Sequence, residues 1–126
     1  MLNSDLHSVY HGLKVLAEPK RLEIIELLKQ GVQCNCELGG KLNMAPNLIS
    51  HHLRVLQKAG FITTARDTVD ARWIYYSLNL DALQRFARQI GTFLDVSGVQ
   101  TRIPSCPPNK IMDGNPERVR STRNRT

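Results

Sequence analysis

The sequence has no apolar run approaching the roughly 18 residues a membrane-spanning helix requires, and its opening, MLNSDLHSVYHGL, lacks a basic segment followed by an apolar one. That reading excludes a membrane span and a secretory leader, and a cytoplasmic protein is expected. Cysteine is scarce, with only Cys34, Cys36 and Cys106. An odd number of thiols in a reducing compartment argues against a disulfide framework and for free thiols or metal ligands. There is no internal repeat. With 126 residues the chain is long enough for one domain with a real core and too short for two ordinary ones. Carboxylates are missing altogether from one stretch, residues 44–60, MAPNLISHHLRVLQKAG.

That stretch organises the rest. Ile49, Leu53, Leu56 and Ala59 fall at helical spacing and predict a core-facing side, with Pro46 suited to the first turn and Gly60 to the end. The opposite side carries Asn47, Ser50, His51, Arg54 and Lys58, all hydrogen-bonding or positively charged. A helix of about four turns with such a face suits the major groove of double-stranded DNA. Amides and hydroxyls there meet base edges, and Arg or Lys meets phosphate or guanine. The balance of 17 Lys and Arg against 11 Asp and Glu, a net +6, also favours a polyanionic partner. Residues 1–96 hold 11 basic against 9 acidic side chains, whereas 97–126 hold 6 against 2. The body of the chain must therefore act through local patches.

Leu6, Val9, Leu13 and Leu16 keep a helical period that Glu18 and Pro19 interrupt. Pro19 can open a second helix, whose wide stripe of Leu22, Ile24, Ile25, Leu27 and Leu28 reads as buried before Gly31 stops it. In residues 32–42, Asn35 is expected to cap a short helix with Glu37 in its first turn and Leu38 and Leu42 inward, and Asn43 ends it. A short helix, a turn and a longer helix with a polar face make a helix-turn-helix. After Gly60 the period falls towards 2. Residues 61–66 and 72–78 read as strands of a hairpin packed by Trp73 and the tyrosines, with a turn at 67–71. Asn79 or Asp81 can cap a last helix along which Leu80, Leu83, Phe86, Ile90 and Phe93 form a broad apolar face. The first and last helices hold more apolar surface than so small a domain covers easily. A two-fold dimer through Leu6, Val9, Leu13, Leu83, Phe86 and Ile90 is expected. The fold class is thus mainly α with a small β-hairpin. A DNA-binding and dimerisation domain spans 1–96, and a flexible basic tail spans 97–126, where glycines, four prolines and scattered arginines replace periodicity.

The blocks LAEPKRLEIIELLKQG, CNCEL, NLISHHLRVLQKAGFI and RWIYYSLN resemble the ArsR/SmtB family of metal-responsive repressors, a likeness that covers roughly Leu13 to Leu94, most of the chain. The resemblance implies a winged helix-turn-helix homodimer that binds an inverted-repeat operator when empty and lets go when a metal or metalloid binds. It places Asn47, Ser50 and His51 where the recognition helix meets bases, and Arg66 and Arg72 beside the wing tip, within reach of phosphate or minor groove. Pro46 stands where the family commonly has a small polar residue.

Members differ in where the ion binds. One type uses His and carboxylates of the last helix, but Leu80 to Leu94 holds no histidine and one acidic residue, Asp81. Another carries Cys-x-Cys at the start of the first helix of the helix-turn-helix, as in CVCDLC, and Cys34-Asn-Cys36-Glu-Leu matches it, with Gly39 where the third cysteine would fall. Side chains two apart on a regular helix diverge by about 200°, so such a pair can chelate one ion only by straddling the helix start. There the positive helix end favours thiolate. Thiolates select soft ions, and arsenite or antimonite, which takes three sulfurs, would draw on Cys106, followed by an extended Pro107-Pro108. Cadmium or lead are alternative inducers, and no resident cofactor is needed. Two further readings are a repressor gated by a disulfide or persulfide with Cys106, and a thiol enzyme using Cys34 with His51 or His52. His7 and His11 form an i, i+4 pair whose alternative readings are a metal clip and solvated histidines, the second preferred, and His52 faces the core in a hydrogen-bonding role.

Overall fold

A computed structural model describes residues 4–106, and the chain divides into two units, Met1–Leu94 and Asp95–Thr126. The first unit runs α1 (Ser4–Leu16), α2 (Pro19–Leu28), β1 (Gln33–Cys34), α3 (Asn35–Leu42), α4 (Pro46–Lys58), β2 (Ile62–Arg66), β3 (Ile74–Leu78) and α5 (Leu80–Phe93). This is the mainly helical winged helix-turn-helix expected. Glu18 caps α2, its Oε1 accepting from the Lys20 N–H at 3.1 Å, and Pro19 occupies the first turn, where no amide hydrogen is needed. Only Ile24 and Leu28 of α2 are buried, while Ile25 and Leu27 are half-buried and Leu22 is 51% exposed. The stripe read as buried is wider than the surface that α1, α3, α4 and β3 offer it.

Leu38 and Leu42 of α3 and Ile49, Leu53 and Leu56 of α4 all reach the core. Ile24, Leu38 and Leu56 are fully enclosed, each contributing roughly 1.5–3 kcal/mol by leaving water. Asn43 ends α3 in the left-handed region at φ 52°, its N–H donating to the Gly39 carbonyl at 3.1 Å, a conformation Asn tolerates better than most residues. Ala59, expected on the core face of α4, is instead exposed, because it lies beyond the last helical residue, where Gly60 at φ 86° turns the chain into β2.

The hairpin pairs β2 with β3 antiparallel from Ile62 opposite Leu78 to Arg66 opposite Ile74. A third strand was not anticipated. β1 adds to the far side of β3, Gln33 opposite Tyr76 and Cys34 opposite Tyr75, giving the order β1-β3-β2. Two residues are too few to show an alternating pattern, so only their partner strand reveals them. Asn79 caps α5, accepting from the Ala82 N–H at 3.2 Å. Helix α5 packs on α1, where the Phe86 ring lies against Gly12 and edge-to-face with Phe61 at 5.4 Å between centroids.

In the second unit, residues 95–106 form no helix or strand, and a local turn joins the Val99 N–H to the Val96 carbonyl at 3.1 Å. The expected extended segment at Pro107-Pro108 and the basic tail beyond it lie outside the described residues. No helix among the described residues is long and apolar enough to cross a membrane.

Candidate nucleic-acid interface and thiol pair

The polar side of α4 is exposed at Asn47, Ser50, His51, Arg54 and Lys58. Among the described residues no side chain holds Asn47, Ser50 or Arg54 by a hydrogen bond or ion pair, so their donors face outward. Lys58 sits at the other end of the helix and lines a cleft with α1 and α5. His52 points inward as expected, 7% exposed. Its Nδ1 accepts from the Arg21 guanidinium at 3.1 Å, and Arg21 Nε donates to the Val15 carbonyl at 2.6 Å. Burial, reinforced by the Arg21 charge, holds the imidazole pKa below its ordinary 6.5. A neutral His52 thus fastens α4 to α2 and the end of α1, which fixes the angle at which the polar face is presented.

Both wing arginines close the loop between β2 and β3. Arg66 donates to the Ala71 carbonyl at 2.7 Å, and Arg72 grips the Asp70 carboxylate, with Nη2 to Oδ2 at 2.6 Å and Nε to Oδ1 at 3.0 Å. The turn itself is built on Asp67, whose Oδ2 accepts from the Val69 and Asp70 N–H groups, each at 2.9 Å, and whose Oδ1 accepts from the Tyr75 hydroxyl at 3.1 Å. These bonds hold its carboxyl below the usual carboxylate range. The sequence placed Asp67 and Asp70 in the turn and Tyr75 in the hairpin packing, but not the bonds that join Asp67 to Tyr75 and Asp70 to Arg72.

Cys34, not Asn35, caps α3: it is extended at φ −86°, ψ 163°, and Asn35 is already helical. The ladder with Tyr75 holds Cys34 in strand geometry, and its N–H donates to Glu37 Oε1 at 2.9 Å. Cys36 is the second helical residue and exposed, Cys34 is half-buried, and both thiols are free. The pair therefore straddles the helix start, as chelation of one ion requires. Among the described residues no three His, Cys, Asp or Glu side chains cluster as a metal site, and Cys106 is exposed in the second unit.

Of the residues expected at a dimer face, Leu13 is 49% exposed, and Leu6, Leu83, Phe86 and Ile90 are half-buried. Val9 is a correction: it is enclosed within its own chain at 3% exposure, so it offers nothing to a partner. Tyr10, Leu80 and Phe93 add exposed apolar surface to the same two helices.

Residues 18–64, from the α2 cap into β2, match the family described as bacterial regulatory protein, arsR family. The transcriptional repressor SdpR of Bacillus subtilis is 37% identical over 71 residues, covering 56% of this chain and 76% of that protein. The arsenical resistance operon repressor of the same organism is 40% identical over 67 residues, covering 52% of this chain and 61% of that one. A solved structure described as a possible transcriptional regulator for arsenical resistance superposes with a TM-score of 0.59 at 34% identity, covering 66% of this chain and 83% of that one. These relatives are regulators and not enzymes, which sets aside the thiol-enzyme reading. With its helix-turn-helix and wing in the same frame, the chain belongs to the ArsR family of DNA-binding transcriptional repressors.

Proposed function

We propose that this repressor acts in the cytoplasm as a homodimer on an imperfect inverted repeat, and that arsenite or antimonite releases it by binding the thiolates of Cys34 and Cys36. The observation that carries the reading is the placement of Cys34 at the last strand position and Cys36 one residue inside the helix. Relatives named for arsenical resistance support the choice of ion over cadmium or lead. Arsenite exchanges its three hydroxyls for three sulfurs with loss of three waters, and the remaining thiol of the chain, Cys106, is proposed as the third. Operator contact is assigned to Asn47, Ser50 and His51 on the reading face, with Arg54, Lys58, Arg66 and Arg72 on phosphate. The exposed apolar surface of α1 and α5 supports the dimer, whose two recognition helices would meet half-sites about one or two helical turns apart.

Release requires the ion to bind the DNA-incompetent shape more tightly, with a coupling of about 1–3 kcal/mol in typical cases. Two connections leave the thiol pair. Helix α3 packs through Leu38 and Leu42 into the core that seats α4, and Cys34 lies opposite Tyr75, which holds the wing turn through Asp67. Drawing the sulfurs together tilts the first and tugs the second. The test is fluorescence anisotropy of labelled operator. Cys34→Ser and Cys36→Ser should bind operator and ignore arsenite, and Cys106→Ser should lose response to arsenite more than to the two-thiol ligand phenylarsenite. Cys34→Ser and Cys36→Ser proteins that still released DNA with arsenite would overturn the reading. Equal arsenite responses for Cys106→Ser and the parent would remove the third ligand.

A further inference from the structure

Two histidines take no part in the proposed function. His7 and His11 are one turn apart on α1 and leave the same face. Their Nε2 atoms are hydrogen-bonded at 3.1 Å, with ring planes at 86° and centroids 4.5 Å apart. One Nε2 therefore presents a lone pair to the other across a single shared position. An ion roughly 2.0–2.1 Å from each nitrogen, the usual imidazole distance, would subtend an N–metal–N angle of about 95–100° at this separation. That lies between the cis angle of octahedral or square-planar coordination and the tetrahedral angle.

We propose that His7 and His11 are a clip for a divalent late transition-metal ion, with Cu(II) the tightest binder, separate from the thiol pair. Neutral imidazoles suit Cu(II), Ni(II) and Zn(II), whereas calcium and magnesium want oxygen and arsenite wants sulfur. The ion replaces the hydrogen shared between the rings, which is lost to water or moves to Nδ1. The remaining positions open on a cleft of about 620 Å³ between α1, α5 and the end of α4. No carboxylate lines that cleft, while Ser8, Lys58, Arg85 and Gln89 do. Arg85 is partly neutralised by Asp81 at 2.6 Å, and with Lys58 it favours water or an anion in the open positions. At 100° per residue the histidines sit roughly 130° round α1 from Leu6 and Leu13.

The experiment is Cu(II) titration of the full chain carrying Cys34→Ser, Cys36→Ser and Cys106→Ser, read by calorimetry and electron paramagnetic resonance. One ion per chain with two imidazole nitrogens in its hyperfine pattern is expected. His7→Gln or His11→Gln should weaken binding on the order of a hundredfold, the loss of one arm of a two-point attachment, and remove one nitrogen. Both side chains are exposed, and circular dichroism of each variant checks that the fold is kept. Unchanged affinity in His7→Gln and His11→Gln, or an equal loss in His51→Gln, would overturn the assignment.

Discussion

Replacing Gly12 by alanine sets helix propensity against packing. Propensity alone favours alanine inside a helix by about 1 kcal/mol. Against it, a Cβ on Gly12 would overlap Cε1, Cζ and Cδ1 of the Phe86 ring. The ring also packs edge-to-face on Phe61 at 5.4 Å, so moving it disturbs that pair. Forcing a carbon into a filled site costs about 1–3 kcal/mol. Disturbing the aromatic pair adds about 0.5–1.5 kcal/mol. Packing wins, and Gly12→Ala should destabilise the fold by about 0.5–3.5 kcal/mol net. Gly40, inside α3, has open space where its Cβ would go, so Gly40→Ala should stabilise by up to about 1 kcal/mol. Urea denaturation at one fixed protein concentration measures both, and Phe86→Leu should relieve Gly12→Ala. A Gly12→Ala protein as stable as the parent, with Gly40→Ala behaving as stated, would refute the close approach of α1 and α5.

Ser50→Ala and His51→Ala should narrow the affinity gap between operator and random DNA, while Arg54→Ala should weaken both and lower the salt slope by about one; unchanged discrimination would move the reading face elsewhere. His52 titrates with a depressed folded pKa, so above its ordinary 6.5 it is neutral folded or unfolded and neutral with respect to stability. As pH falls below 6.5 the unfolded chain takes up the proton first, and stability drops until the lower folded value is passed. His52→Asn keeps an acceptor for Arg21 and should flatten that slope in melts run at a series of pH values, and an identical slope would clear His52 of the effect. Tyr75→Phe removes the hydroxyl that holds Asp67 and should leave operator binding largely intact while blunting release by thiol ligands; a full response by anisotropy would leave α3 as the sole route.

Signals confined to one element were legible. The polar face of α4, the cap at Asn79, the stop at Asn43 and the hairpin each depend on residues within a turn or two, and each was found where the sequence put it. Errors arose where a distant partner decides. Asn35 is by type the better cap, yet pairing with Tyr75 across the sheet keeps Cys34 extended and moves the helix start back by one residue. Leu22 shares the apolar stripe of α2, but among the described residues no element reaches around far enough to cover it. Val9 and Leu13 look equivalent on α1, and only the seat of α5 sorts one inward and the other outward.

The shift of the cap by one residue bears on how the thiol pair could act. With Asn35 as cap, Cys34 would sit in free chain, and gathering its sulfur towards Cys36 would cost only loop entropy. Held in β1, Cys34 shares hydrogen-bonded backbone with the strand that carries Tyr75, and its N–H is committed to Glu37. Moving the sulfur must then strain either the ladder to β3 or the first turn of α3. A ligand that binds across a rigid junction transmits its preference, whereas one that binds across a slack loop spends it locally. In the mechanism proposed above, the strand missed in the sequence makes the pair of neighbouring thiols a junction between α4 and the β2–β3 turn.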